Sequence, residues 1–217
     1  MNRFFETIKQ IPVKVLIFGF ILYISAAVFS VGFLHPDEHF QIMEFANLKT
    51  GLNSPDDLAW EFNARLRPSI QPTIAYLVIE ACNTIGIDNP FDQSTVLRII
   101  SSVLGFIVML MLIHTFKDEL DTNKLQKWLI YLSIFLWFLI FIHVRFSSEN
   151  WTGLFFFAGI SVYLNSRQKS IAYILLTGVL LGLSFLFRFQ TGIMIAGFFA
   201  WILFINKESF KNILIST

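Results

Sequence analysis

IQPTIAYLVIEACNTIGI, residues 70–87, decides how the rest of the chain is threaded. Its Leu, Ile and Val attract it to lipid, yet Gln71, Pro72, Glu80, Asn83 and Thr84 interrupt it. Around it lie six runs free of Asp, Glu, Lys and Arg, at 15–34, 99–116, 128–144, 151–165, 170–187 and 191–206. A helix crosses the hydrocarbon core with about 20 mainly apolar residues, roughly 17 to 25 being usual, so each run is a candidate span and the short fourth one should sit upright or at a thin spot. If 70–87 does not cross, the N-terminal tail, the 117–127 loop, the 167–169 loop and the 207–211 tail share one side. Those segments carry ten of the sixteen Lys and Arg. The opposite side holds the long 35–98 loop and two tight turns, 145–150 and 188–190, with ten of the fifteen acids. Short inner loops are basic in membrane proteins, and threading 70–87 through the bilayer would move every later basic segment outward, 167–169 and 207–211 included. The segment is therefore expected to be an amphipathic helix along the outer interface, with Glu80 in water and its aliphatic stems in the acyl boundary.

Composition supports this frame. Of 217 residues, 55% are apolar and 14% charged, Phe occurs 26 times, and the mean hydropathy is +0.66. Soluble domains carry about 25% charged residues, so the expected fold class is an all-α polytopic membrane protein with about six spanning helices. The basic start, Arg3, Lys9 and Lys14, leads into a run longer than a signal h-region and without a convincing cleavage site, which reads as an uncleaved anchor. A net charge of +1 offers no basic stripe for nucleic acid. The single Cys82 excludes a disulfide framework and a cysteine-based metal site.

Four polar clusters fall on the outer side. The first is His35-Pro36-Asp37-Glu38-His39-Phe40-Gln41, continuing to Glu44. Pro36 suits a first helical position, and a regular helix after it places Asp37, Gln41 and Glu44 on one stripe with Phe40, Met43 and Leu48 elsewhere. Asp37 and Glu38 sit at the positive end of that helix, which favours an ionised carboxylate available as a base. The same pair also reads as a plain helix cap. His35 and His39 are separated by Pro36 and no further ligand set follows them, so no metal is expected there. The second cluster runs from Trp60 and Glu61 through Arg65 and Arg67 to Pro72. An aromatic face suits a sugar and the arginine fork suits phosphate oxygens, although these residues also read as interfacial anchors. The third and fourth clusters are the turns with Arg145, Glu149 and Asn150, and with Arg188. Arginines at outer turns run against the positive-inside tendency and call for an anionic partner, of which phosphate is the simplest.

HPDEHFQIMEFA (35–46), AWEFNARLRPSIQP (59–72), RFSSEN (145–150) and RFQT (188–191), in that order, resemble the lipid-linked mannosyltransferases of the GT-C superfamily, family 22. That group includes the GPI mannosyltransferases and the late mannosyltransferases of N-glycan precursor assembly. The resemblance covers essentially the whole chain. It departs in the third and fourth motifs, where the family commonly shows Arg-Thr and Arg-Pro-Thr and this chain has Arg145-Phe146 and Arg188-Phe189-Gln190-Thr191. Family chains usually continue through further crossings, and 210–215 reads as the start of one, so 1–217 is expected to be an N-terminal portion forming one GT-C-like domain.

The resemblance implies a glycosyltransferase that moves a mannosyl or other hexosyl residue from a polyprenyl-phosphate sugar to a lipid-linked or glycan acceptor. It implies a multi-pass protein of the plasma (inner) or endoplasmic reticulum membrane, working on the outer or lumenal face without metal or cofactor. Asp37 takes the place of the base, with Glu38 beside it. His39, Gln41, Glu44, Trp60, Glu61, Arg67, Arg145, Glu149, Asn150 and Arg188 are the implied substrate-binding residues. One carboxylate base and no evident nucleophile mean a single displacement with inversion. The rival readings are a non-catalytic membrane subunit and a transporter, although a transporter places ionisable groups near the bilayer midplane.

Overall fold

The computed structural model describes residues 2–33, 35–66, 68–165 and 170–204, and among these there is helix and no strand. The helices are α1 (Asn2–Lys9), α2 (Val13–Phe29), α3 (Glu44–Thr50), α4 (Trp60–Asn63), α5 (Ile70–Thr84), α6 (Pro90–Phe116), α7 (Asn123–Phe135), α8 (Trp137–His143), α9 (Ser148–Asn165), α10 (Ile171–Phe187) and α11 (Thr191–Phe204). A π turn, Glu38–Met43, leads into α3. The 167–169 loop, the 207–211 tail and the helix start expected at 210–215 lie outside the described residues.

The central element is α6. Asn89 caps it by accepting the Phe91 N–H at 2.9 Å, and Pro90 occupies the first turn, where its missing N–H costs nothing. The helix therefore starts well before residue 99. With the turn that follows it, Pro90–Glu119 is the one described helix long and apolar enough to cross a membrane by itself. The 128–144 run is not a straight rod, because α7 and α8 meet at Leu136 with a 44° bend. Leu136 takes extended angles there (φ −66°, ψ 113°). Three shorter apolar helices, Val13–Phe29, Ile171–Phe187 and Thr191–Phe204, accompany them. Phe29, Trp137, Ile193 and Phe204 are exposed, an apolar exterior of the kind that faces lipid rather than water.

Small residues bring the helices together, as expected where lipid removes the hydrophobic drive between them. Between α9 and α10, Gly159 approaches Leu181, whose Cδ2 would lie 3.1 Å from an added Cβ. There the Thr152 hydroxyl donates to the Ser184 carbonyl at 3.2 Å, and the Ser184 hydroxyl donates back to the Thr152 carbonyl at 2.9 Å. Between α6 and α8, Gly105 lets His143 lie against the backbone, while His143 Nδ1 shares a 3.2 Å hydrogen bond with the Tyr23 hydroxyl of α2. A Cβ at position 105 would stand 2.6 Å from His143 Cβ. Gly105→Val is accordingly expected to destabilise the bundle by about 1–3 kcal/mol, read as a lower unfolding midpoint in detergent. A midpoint equal to that of the unmodified chain would show that α8 moves away freely.

Helix α5 is amphipathic, as 70–87 predicted. It buries Gln71, Pro72, Ala75, Ile79 and Cys82 and leaves Glu80 exposed. Its buried stripe packs on α3, the π turn, α6 and α10, while Leu77 stays outside. Ile42, Ala46, Ala75, Ile79, Leu97, Phe146, Trp151 and Phe187 form one apolar cluster. This cluster is the platform on which the polar end of the bundle rests.

Candidate functional site

The first cluster starts as a capped helix. His35 Nδ1 accepts the Asp37 N–H at 3.3 Å, and Glu38 Oε1 accepts the His35 N–H at 3.4 Å, a reciprocal arrangement that satisfies otherwise orphaned donors. The helix then widens, because the Glu44 N–H donates to the His39 carbonyl, five residues back. A π turn of this kind changes which side chains share a face and often marks a functional site. The regular stripe of Asp37, Gln41 and Glu44 expected from the sequence is thus replaced. Glu38, Gln41 and Ile42 are buried, Phe40 is exposed, and Met43 comes round to the same cleft as Glu38. Asp37 stays half-buried beside His35, their nearest side-chain atoms 3.4 Å apart. His39 Nε2 lies 3.3 Å from Glu44 Oε1.

Glu38 is only 7% exposed, and the Arg98 guanidinium approaches it. Arg98 of α6 lies within Coulombic reach of both Glu38 and Arg145 and donates to the Ser30 carbonyl. Arg145 is buried; it donates to the Gly32 carbonyl at 2.9 Å and stands 4.9 Å over the Phe141 ring. Its Nε has no hydrogen-bond partner among the described residues. Both arginines hold carbonyls just past the end of α2, so the chain's exit from that helix is tied to α6 and to the 145–150 turn. The cleft among Phe33, Glu38, Met43, Leu97, Arg98 and Phe146 measures about 20 Å³, room for a water and not for a hexose.

The two outer turns meet. Arg188, at the end of α10, forms an ion pair with Glu149, which joins the third and fourth clusters. Asn150 is buried and its Nδ2 donates to the carbonyls of Arg145 (2.7 Å) and His143 (3.2 Å), so it shapes the turn that carries Arg145. The second cluster stands to one side. Trp60 is exposed, while Glu61 lines a separate cavity of about 240 Å³ with Phe45, Lys49, Phe62, Arg65 and Pro72. Arg65 there holds a left-handed φ of 52°, a conformation uncommon for residues with a Cβ. Arg67 lies outside the described residues.

Sequence reasoning gave no role to Arg98. The available signal was its position as the last charge before the 99–116 run. It also gave no role to Gln71, which is buried with both side-chain amide atoms unpartnered among the described residues. Among the described residues no three His, Cys, Asp or Glu side chains converge as metal ligands.

Among the described residues, fold and site together give a helical bundle with one helix long and apolar enough to cross a membrane and with carboxylates and guanidinium groups gathered at one end. Residues 14–217 match the Alg9-like mannosyltransferase family, and the chain belongs to that family of dolichyl-phosphate-mannose-dependent glycosyltransferases. No curated protein and no solved structure matches it at a significant level.

Proposed function

We propose that this chain carries a mannosyl-transfer site where the 35–44 segment meets the 145–150 turn, on the outer or lumenal face. The donor is a polyprenyl-phosphate mannose and the acceptor a hydroxyl of a lipid-linked sugar or glycan. The bond between the mannosyl anomeric carbon and the donor phosphate oxygen breaks while the acceptor oxygen bonds to that carbon from the opposite side. Asp37 receives the acceptor's proton, and the departing phosphate is neutralised by arginine, which is electrostatic transition-state stabilisation. What carries the reading is the contrast between neighbouring acids. Asp37 is half-buried, whereas Glu38 is buried within reach of Arg98, which itself lies near Arg145. The more accessible acid suits the base, and the buried acid steadies Arg98 beside Arg145 for phosphate. Because the cleft itself is small, the donor head enters from its open side.

The test is transfer of labelled mannose from polyprenyl-phosphate mannose in membranes containing the protein, with the linkage of the product read by α- and β-specific mannosidases. A β-linked donor should yield an α-mannoside. A β-product would show retention and overturn the single displacement.

The threading into six crossings, with 35–98 outside, rests on the distribution of basic loops. Cys82 is the single cysteine, so a Cys82→Ser background gives a clean labelling experiment. Asp56→Cys and Asp121→Cys, both at exposed positions, should react with an impermeant thiol reagent from opposite sides of sealed vesicles. Labelling of both from the same side would overturn the threading.

A further inference from the structure

The other end of α6 carries a second polar site. Arg98 and Lys117 are separated by 19 positions, about 28 Å at 1.5 Å per residue and close to the roughly 30 Å of a hydrocarbon core. Lys117 therefore lies one membrane thickness from the acid and arginine cluster. Here Thr7 of α1 shares a 2.8 Å hydrogen bond with His114 Nδ1, and Phe4 packs edge-on against that imidazole, so α1 closes over the end of α6. Beside it is a cavity of about 260 Å³ whose polar lining comes from Gln10, Lys117, Asn123, Gln126, Lys127 and Tyr131.

Lys117 is 7% exposed, and its ammonium donates to the neutral amide oxygen of Gln10. Among the described residues no carboxylate pairs with it, and Glu6 at this end is engaged by Lys9 at 2.8 Å. Asp118, Glu119 and Asp121 lie on the adjoining turn, yet none of them lines the cavity. A buried ammonium without a counter-charge is unfavourable, and an anion in the cavity relieves that. Lys127 adds a second positive charge, and Asn123, Gln126 and Tyr131 supply neutral donors. Pro12, Val15 and Ile130 make the remaining wall apolar. The same two helices, α2 and α7, also expose Ile17, Phe18, Trp128 and Leu132. Trp128 and Tyr131 are of the type that sits at headgroup level.

We infer that this cavity binds the phosphate of an anionic lipid, with the headgroup between Lys117 and Lys127 and an acyl chain along α2 and α7. It is a separate site from the proposed transfer centre and does not depend on that reading. Inorganic phosphate shares the headgroup chemistry but would make no use of the apolar wall.

Native mass spectrometry of the detergent-solubilised chain, titrated with phosphatidylglycerol, phosphatidylcholine or inorganic phosphate, tests it. Phosphatidylglycerol should be retained in preference to phosphatidylcholine. Lys127→Gln should weaken it about fivefold, the order expected for one lysine at an anionic surface, and Lys117→Gln at least as much. Lys14→Gln removes the same charge at an exposed position outside the cavity and should leave retention within about twofold, well below a one-lysine effect. Because Lys127 is exposed, its substitution reports even if Lys117→Gln fails to fold. Equal retention of the two lipids, or a Lys14→Gln loss equal to that of Lys127→Gln, overturns the site. Inorganic phosphate binding as tightly as the lipid overturns the lipid as its occupant.

Discussion

Asp37→Asn is expected to lower mannosyl transfer about 10²–10⁴-fold, the range that a positioned general base contributes. The substitution conserves shape and leaves intact the cap at the start of the helix, which uses the Asp37 backbone N–H and not its carboxylate. Asn keeps an oxygen beside His35, so the unfolding midpoint should change far less than transfer does, with the loss falling on kcat rather than on KM. Glu38→Gln should behave differently. Glu38 is buried within reach of Arg98, which also lies near Arg145, so losing its charge leaves Arg98 near a second guanidinium without that compensating acid. Transfer and stability should then fall together, the latter by about 1–3 kcal/mol. Transfer assays beside thermal unfolding of both variants separate the roles. If Asp37→Asn retains transfer within about threefold, an effect far below that of a general base, the base lies elsewhere.

Trp151→Ala should be the most destabilising substitution near the site, by about 3–5 kcal/mol. The indole sits in the centre of the platform cluster. Phe146, Phe187 and Phe155 surround it with ring centroids at 4.8, 5.4 and 6.0 Å, and its N–H donates to Ser101 Oγ at 2.9 Å. Its removal leaves a void between α6, α9 and α10. It also loosens Phe146 and Phe187, the immediate neighbours of Arg145 and Arg188, so transfer should fall with stability. Trp151→Phe retains the ring contacts and loses the hydrogen bond, at about 1 kcal/mol. Denaturant unfolding in micelles measures both. A Trp151→Ala loss under about 1 kcal/mol, too small for a buried indole, would show that the cluster does not hold the turns together.

Much of this protein was legible without coordinates, because the forces concerned act locally. Lipid selects apolar runs residue by residue, so 15–34, 99–116 and 170–187 announced helices. Pro36 and the polar interruptions within 70–87 likewise marked a helix start and an amphipathic helix. The four motifs, standing in order, pointed to the family that residues 14–217 match. The juxtapositions were not legible. Arg98 reaches Glu38 only because α6 extends back to Pro90 and runs past the π turn. Arg188 meets Glu149 only because α9 and α10 pack side by side, and Asn150 turns inward because the carbonyls of His143 and Arg145 need a donor there. The bend at Leu136 lies within an unbroken apolar run. Hydropathy alone therefore determined which segments are helical and apolar, since transfer into lipid is summed over single residues. Which charges face one another was decided by tertiary packing, since electrostatic contact depends on distances across helices that are remote in the chain.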